Sequence, residues 1–421
     1  MKLHSIPTGL KQSAFTIIGN GLSAGLSALA IIFIIRLLGP EKYGEFSVGL
    51  AIALILVKLN DWGLNTAILK YASGNKNQKE QNDVYSLTTK YKLILSLVIS
   101  IIGLLSYQYI NSFLGLKEPR IILAAFTFGL FTTYYEHLLN ILQSLHSFFN
   151  AVAINTIQAI AKLVGSGLFF ILIVQQTMPL FLWYLFAPLI PVLLTRWLLP
   201  SWIKINLSVK NLKLQQRIWS LTKHSSIALI SAGIIENIDI LFLQSNLTTY
   251  ETGLYGGVSR IAMLFTLIAY SLANVLNSRV ARYKLKKHLA PYLKKSWGVV
   301  LLSLLGFLIF IPIAKPLIHF TIGQEYLNGL PVLLMLTGAS FLAIASMPFM
   351  ALFYSFEADW YFSISGILQL VIILIGNAIF VPIFGLEAAA WTRLATRLFL
   401  FLFTMLLGQY LYFKHYGKQT I

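Results

Sequence analysis

Ionisable side chains inside long apolar segments are the residues of this sequence best placed to do chemistry. An ionised group near the centre of a bilayer costs about 2.5 to 3.5 kcal/mol even on the permissive insertion scale. Each such residue therefore needs a partner or a function. The cationic residues are Arg36, Lys58, Lys162, Arg260, Arg393 and Arg397, and the acidic residues are Asp61, Glu136, Glu236 and Asp239.

Helical spacing sorts six of these residues into three pairs. The pairs are Lys58 with Asp61, Glu236 with Asp239, and Arg393 with Arg397. Residues three or four positions apart lie on the same face of a helix. The first pair can neutralise itself. Each like-charged pair must face water, an opposite charge from another helix, or a charged ligand.

The excess of cations over acids in this set predicts a net-positive polar cavity that suits an anionic substrate. Arginine forks fit phosphate or pyrophosphate oxygens in a bidentate way. We therefore expect the six cations to bind substrate, and the four acids are candidates for binding a coupling proton or sodium ion. Arg36 could instead reach the lipid head groups. Lys162 and Arg260 could instead pair structurally with Glu136 or Glu236.

The apolar segments that position these residues are long enough to span a membrane. A hydrocarbon core of about 30 Å needs roughly 20 mostly apolar residues in a helix. A chain of 421 residues that is 57% hydrophobic and only 11% charged, with a mean hydropathy of +0.76, also has too few polar residues to coat a water-soluble protein. The sequence predicts an all-α polytopic membrane protein with spans near 12–38, 44–69, 91–111, 121–144, 150–174, 178–202, 218–244, 252–278, 296–320, 329–354, 360–382 and 387–412.

No catalytic constellation is found. The chain has no cysteine, so disulfides, thiolate metal sites and thiol nucleophiles are excluded. The spacings typical of zinc sites, Walker loops and dinucleotide sites do not occur. We expect no catalytic residue, metal or cofactor. Transport would have to be driven by an ion gradient, the membrane potential or the substrate gradient.

The net charge is +18, and the distribution of the basic residues along the chain indicates membrane topology and not a nucleic-acid-binding surface. Basic segments at 76–92, 204–223 and 282–295 fall on one side of the twelve-span arrangement. Basic short loops stay in the cytoplasm, so both termini are predicted to be cytoplasmic, and these segments to contact anionic lipids. The short opposite loops 174–178 and 245–251 argue against a membrane polymerase or ligase, which would need an exposed catalytic loop.

A weak internal repeat has a period near half the chain length. Residues Tyr43–Phe46 have a counterpart in Thr252–Tyr255, and four later positions match at a similar offset. Repeated halves are typical of transporters. We expect two six-helix lobes, at residues 1–210 and 211–421, around the cationic cavity. Chance matching among apolar segments is the alternative. The later matches pair Ser144, Gln158, Gly165 and Phe169 with Ser355, Gln369, Gly376 and Phe380.

The stretch Arg36–Phe46, followed by Asp61–Tyr71, resembles the first two helices of polysaccharide repeat-unit flippases. These are the O-antigen (Wzx-type) exporters of the multidrug/oligosaccharidyl-lipid/polysaccharide (MOP) superfamily. The motif match is confined to this region and its echo at 252–255, while length and helix number agree over the whole chain. The resemblance implies a MATE-like fold and a site in the bacterial inner membrane. Lys58 and Arg260 lie on helices corresponding to those that contribute cavity cations in related lipid II flippases.

The resemblance also implies a function and partners. The expected activity is alternating-access transfer of an undecaprenyl-pyrophosphate-linked oligosaccharide from the cytoplasmic to the periplasmic leaflet for O-antigen, lipopolysaccharide or similar polysaccharide biosynthesis. The expected partners are the lipid-linked glycan, membrane lipids, H⁺ or Na⁺, and polysaccharide polymerase machinery, but not nucleic acid. The protein would not be an enzyme. The main alternative is a cation-coupled multidrug exporter of the same superfamily, and a glycan polymerase or ligase is the other.

Overall fold

The computed structural model describes residues 8–280, 283, 285–356, 358 and 360–416. These residues form helices and the segments that connect them, and they contain no strand. The helices of the first half are α1 Thr8–Asp61, α2 Leu64–Tyr71, α3 Gln78–Leu114, α4 Arg120–Thr127, α5 Phe131–Ser144, α6 Phe148–Ile171, α7 Thr177–Phe186, α8 Leu189–Leu193 and α9 Thr195–Leu198. The helices that follow are α10 Leu212–Asn246, α11 Thr249–Val280, α12 Lys286–Thr321, α13 Leu330–Ser355, α14 Trp360–Phe384 and α15 Leu386–Tyr416.

These helices account for twelve spans and confirm the all-α polytopic prediction. Nine helical stretches of the described residues are long and apolar enough to cross a membrane. The first has 44 residues, which at about 1.5 Å per residue is twice the hydrocarbon thickness, so it provides two spans. α4 and α5, joined by a 3-10 turn, give an eleventh. The shorter apolar stretch Thr177–Leu193 gives the twelfth.

A kink at Gly39 divides α1 into its two spans. Gly39 has φ +66° and ψ 175°, a left-handed φ that costs any residue with a Cβ atom about 1–2 kcal/mol. Pro40 follows and has no N–H to continue the hydrogen-bond ladder. The sequence pair Gly39–Pro40 thus ends one helix and begins the next without a loop.

The chain forms two compact units. Unit 1 comprises Met1–Leu38 and Glu45–Gly233, and unit 2 comprises Gly39–Gly44 and Ile234–Ile421. The change of unit falls inside the continuous helix α10. Residues 212–233, which the sequence assigns to the second lobe, therefore cluster with unit 1.

Unit 1 has an apolar interior and an apolar exterior. Leu64 and Ile68 of α2 pack with Tyr85 and Leu87 of α3 in a buried cluster. On its outer side α3 exposes large apolar side chains such as Leu105, 80% exposed. Exposed apolar surface on this scale marks a face that does not contact water. The lipid chains of a bilayer are the matching environment.

Unit 2 contains the contact between the two repeat motifs found in the sequence. A Cβ atom added to Gly253 would lie 1.7 Å from the carbonyl oxygen of Pro40, and one added to Gly44 would lie 2.0 Å from that of Thr249. Only glycine permits this backbone approach. The matched glycines of the two halves therefore pack where the segment 40–44 crosses the start of α11.

Candidate functional site

Lys58 does not pair with Asp61, and the predicted self-neutralising pair is wrong. The Lys58 Nζ atom donates to both oxygens of Glu136 on α5, at 3.0 and 3.2 Å. Both side chains are partly exposed, at 36% and 27%. Helical spacing predicts only which residues of one helix are neighbours. Here the Lys58 ammonium group binds a carboxylate from a second helix. Glu136 is thus the partner of Lys58 and is not the partner of Lys162 or Arg260.

Asp61 pairs instead with Lys92, a residue that the sequence placed in a basic loop. Lys92 lies inside α3, and its fully buried Nζ atom is 2.7 Å from Asp61 Oδ1. It also donates to Thr133 Oγ1 at 3.2 Å. The same carboxylate oxygen accepts the N–H of Asn65 at 3.3 Å, near the start of α2. This pair and its hydrogen bonds link α1, α2, α3 and α5, and Asp61 Oδ1 is held by two donors.

Asp239 forms the second buried pair, with Arg393. The Arg393 Nη2 atom lies 2.6 Å from Asp239 Oδ2, and Asp239 is fully buried. The Tyr255 hydroxyl donates to Oδ2, and Asn377 donates to Oδ1 at 2.7 Å. Arg393 also donates to the backbone oxygen of Glu236 at 3.2 Å. One member of each like-charged pair, Asp239 and Arg393, therefore has an opposite charge from another helix, which is one of the three outcomes that the sequence allows.

Four of the six predicted cations have no carboxylate partner within the described part of the chain. They are Arg36, Lys162, Arg260 and Arg397. Arg36 is exposed. The Lys162 Nζ atom lies 4.1 Å from the centroid of the Tyr184 ring, a cation–π contact. Arg397 donates to Gln369 Oε1 at 3.2 Å.

Arg260 has the least satisfied polar group of the four. Its Nη1 atom lies 3.8 Å from Met263 Sδ. Its Nε atom is buried and has no hydrogen-bond acceptor in the described structure. Buried donors almost always have a partner. An acceptor-only anion would supply one.

The charge balance of the site follows from these pairings. Three predicted acids, Asp61, Glu136 and Asp239, are each held by a cation on another helix. The cations left over carry a net positive charge in both units. In the described ranges no group of three or more histidine or acidic side chains could hold a metal ion.

Comparison with known proteins identifies the class. The polysaccharide biosynthesis protein family matches residues 10–276, more than half of the chain, and the chain belongs to this family. No curated protein matches.

Solved structures show the fold. An inward-facing multidrug resistance MATE family transporter of the MOP superfamily superposes with a TM-score of 0.76 at 16% identity, covering 94% of this chain and 96% of its own. The lipid II flippase MurJ, in an inward closed conformation, gives 0.76 at 16% identity, covering 93% and 87%. The MATE multidrug transporter DinF-BH gives 0.54 at 16% identity, covering 96% of each chain. The protein is a multi-pass membrane protein with the fold of the MOP superfamily.

Proposed function

We propose that this protein is a flippase for an undecaprenyl-pyrophosphate-linked oligosaccharide, such as an O-antigen repeat unit. It moves the head group from the cytoplasmic to the periplasmic leaflet of the bacterial inner membrane, and both termini lie in the cytoplasm. Membership of the polysaccharide biosynthesis family supports the glycan part of this substrate. The structural similarity to MurJ, a flippase for lipid II, supports a lipid-linked substrate.

The observation that carries the proposal is the set of unpaired cations within apolar helices. Arg36 and Lys162 in unit 1, and Arg260 and Arg397 in unit 2, have no carboxylate partner in the described residues. An unpaired charge within a membrane span lowers the stability of the protein. A bound anion would offset this destabilisation by the four cations. Pyrophosphate is a compact dianion that accepts bidentate hydrogen bonds from guanidinium groups. The buried Nε of Arg260 is the donor that most needs such an acceptor.

The transport step in this proposal is alternating access. The pyrophosphate binds the cations, the oligosaccharide occupies polar space, and the polyprenyl chain stays in lipid. The substrate can drive a conformational change only if it binds one state better than the other. A head group that neutralises the unpaired cations more fully in one state than in the other satisfies that condition. A proton or sodium gradient then resets the protein, and the glycan passes to the polymerase machinery.

A multidrug exporter is the second candidate, because unit 2 contains an apolar cavity. This cavity of about 570 Å³ lies among α12, α13 and α15 and is lined by side chains such as Phe307, Phe341 and Trp391. Its size suits a drug-sized ligand. The positive residual charge argues against organic cations as its ligands.

Deletion of the gene in its host separates these candidates. A flippase deletion should accumulate lipid-linked repeat units with their sugars facing the cytoplasm, while surface polysaccharide disappears. The wild-type gene should reverse both effects, and a gene carrying Arg260→Ala should not. Unchanged surface glycan together with altered sensitivity to cationic dyes would favour the drug exporter. Chain elongation by the purified protein would favour a polymerase.

A further inference from the structure

Lys58–Glu136 is the only one of the three ion pairs described above with both partners substantially open. The exposed fractions of the two side chains are 36% and 27%. In the Asp61–Lys92 pair the Lys92 side chain is 0% exposed and Asp61 7%, and in the Asp239–Arg393 pair Asp239 is 0% exposed and Arg393 14%. A ligand entering from solvent can therefore reach this pair more readily than the other two.

Glu136 is also the least anchored of the three carboxylates. Asp61 is held by a backbone N–H as well as by its lysine, and Asp239 by Tyr255 and Asn377 as well as by its arginine. The carboxylate of Glu136 has Lys58 as its sole hydrogen-bond donor among the described residues. When Lys58 leaves, the Glu136 carboxylate therefore loses all of its hydrogen-bond donors among the described residues, whereas Asp61 and Asp239 would each keep at least one donor.

We propose that Glu136 competes with the anionic head group for Lys58, and that Glu136 binds a proton when the head group displaces it. This inference rests on the proposed function and adds Lys58, one of the cations that the sequence predicts to bind substrate, to the groups that contact the pyrophosphate. An incoming dianion takes the Lys58 ammonium group and leaves the carboxylate without its counter-charge. A carboxylate beside a bound dianion is repelled by a like charge. Protonation removes that repulsion.

Within the described residues, two lysines on other helices of unit 1 are already engaged elsewhere. Lys92 of α3 is committed to Asp61 of α1, and Lys162 of α6 lies over Tyr184 of α7. The titratable neighbours on α5 itself are engaged as well: Tyr135 donates to Asn155 of α6, and His137 shares a hydrogen bond of 2.9 Å with Thr89 of α3. In this proposal a proton from water supplies the positive charge.

This exchange would make Glu136 the point at which substrate binding is linked to protons. The pair keeps the empty site neutral at this position. When substrate is bound, the added proton lowers by one the net negative charge that enters the apolar region. Because binding takes up a proton, the affinity for substrate should rise as the pH falls.

The test measures proton uptake on binding by the purified full-length protein in detergent. The probe is farnesyl-pyrophosphoryl-glucose, a pyrophosphate diester whose own charge is constant near neutral pH. Calorimetric titration in two buffers of different ionisation enthalpy gives the number of protons bound per probe. The variants are Glu136→Gln, Lys58→Ala, and the matched control Glu118→Gln, which removes a carboxylate from the ion pair with Arg120, whose side chain is 75% exposed.

The wild type and the Glu118→Gln control should each take up about one proton per probe. Glu136→Gln should take up none and should bind about two- to fivefold more tightly, the range expected for losing a partly exposed ionic competitor.

If the wild type takes up no proton, or Glu136→Gln binds no more tightly, the exchange is contradicted. The substrate site still stands in that case if Lys58→Ala weakens binding. If Lys58→Ala binds as the wild type does, the proposed contact of Lys58 with pyrophosphate fails first. Should Glu136→Gln not fold, the proton number of the wild type alone decides.

Discussion

Asp239 and Arg393 lie 154 positions apart in the chain and form an ion pair that ties α10 to α15. The Nη2–Oδ2 distance is 2.6 Å, with Asp239 wholly buried. Every oxygen of the carboxylate is engaged, because Asn377 holds Oδ1 while Tyr255 and Arg393 hold Oδ2. A coupling cation at Asp239 would have to displace a guanidinium group that the protein itself supplies. The pair is thus better suited to holding two helices together than to exchanging ions.

Breaking this pair on one side should destabilise the protein severely. Asp239→Asn leaves the Arg393 charge uncompensated, and removal of one partner from a buried pair costs about 3–5 kcal/mol. The combined variant Asp239→Leu with Arg393→Met should recover most of that loss, since no buried charge remains. Thermal unfolding in detergent measures both. A single variant as stable as the wild type would show that the pair is not a structural tie.

A double-mutant cycle should assign the partner of Asp61. The coupling energy between Asp61→Asn and Lys92→Met should be large, because their side chains touch inside the protein. The coupling between Asp61→Asn and Lys58→Met should be clearly smaller, because the Lys58 ammonium group is bound by Glu136. Unfolding free energies of the single and double variants supply both values. The opposite ranking would restore the pairing suggested by helical spacing.

The glycine contact between the two repeat motifs should tolerate no side chain. Gly253→Ala places a Cβ atom on the Pro40 carbonyl, and overpacking of this kind costs about 1–3 kcal/mol or more. The control is Gly298→Ala in α12, where an added Cβ would meet nothing within 4 Å. That substitution should be neutral or should stabilise the helix by up to about 1 kcal/mol. Equal melting temperatures for the two variants would contradict the close approach.

The helical architecture could be predicted from sequence because length and hydropathy alone define a span. The last five predicted spans begin within a few residues of the observed helices except at α12, which begins at Lys286 instead of residue 296. Similarly, α3 begins at Gln78 and not near residue 91. A search for apolar segments does not detect the polar turns by which a helix extends beyond the hydrocarbon core of the membrane. For this reason the sequence places Lys92 in a loop, although it lies inside α3.

Apart from Lys92, the members of the charged set could be predicted from the sequence, but their pairing could not. The sequence predicts that the pair Arg393 and Arg397 faces water, an opposite charge from another helix or a charged ligand, and for Arg393 the structure shows the second, with Asp239 as the partner. The sequence offered Lys162 and Arg260 as possible partners of Glu136. The observed partner is Lys58, which lies 78 positions away in the chain. Contacts between helices depend on packing, and spacing along one helix carries no information about them.

Transport by purified protein in liposomes tests most directly whether the unpaired cations bind the pyrophosphate head group during flipping. A fluorescent pyrophosphate-linked oligosaccharide should cross between leaflets when the wild type is present. Arg260→Ala combined with Lys162→Ala should slow crossing by about tenfold or more, since each charge-assisted hydrogen bond contributes about 1.5–3 kcal/mol. The matched control, Arg120→Ala combined with Lys213→Ala, removes one arginine and one lysine from exposed positions and should flip at the wild-type rate. Full flipping by the first double variant, at equal protein content, would show that Arg260 and Lys162 do not bind the head group.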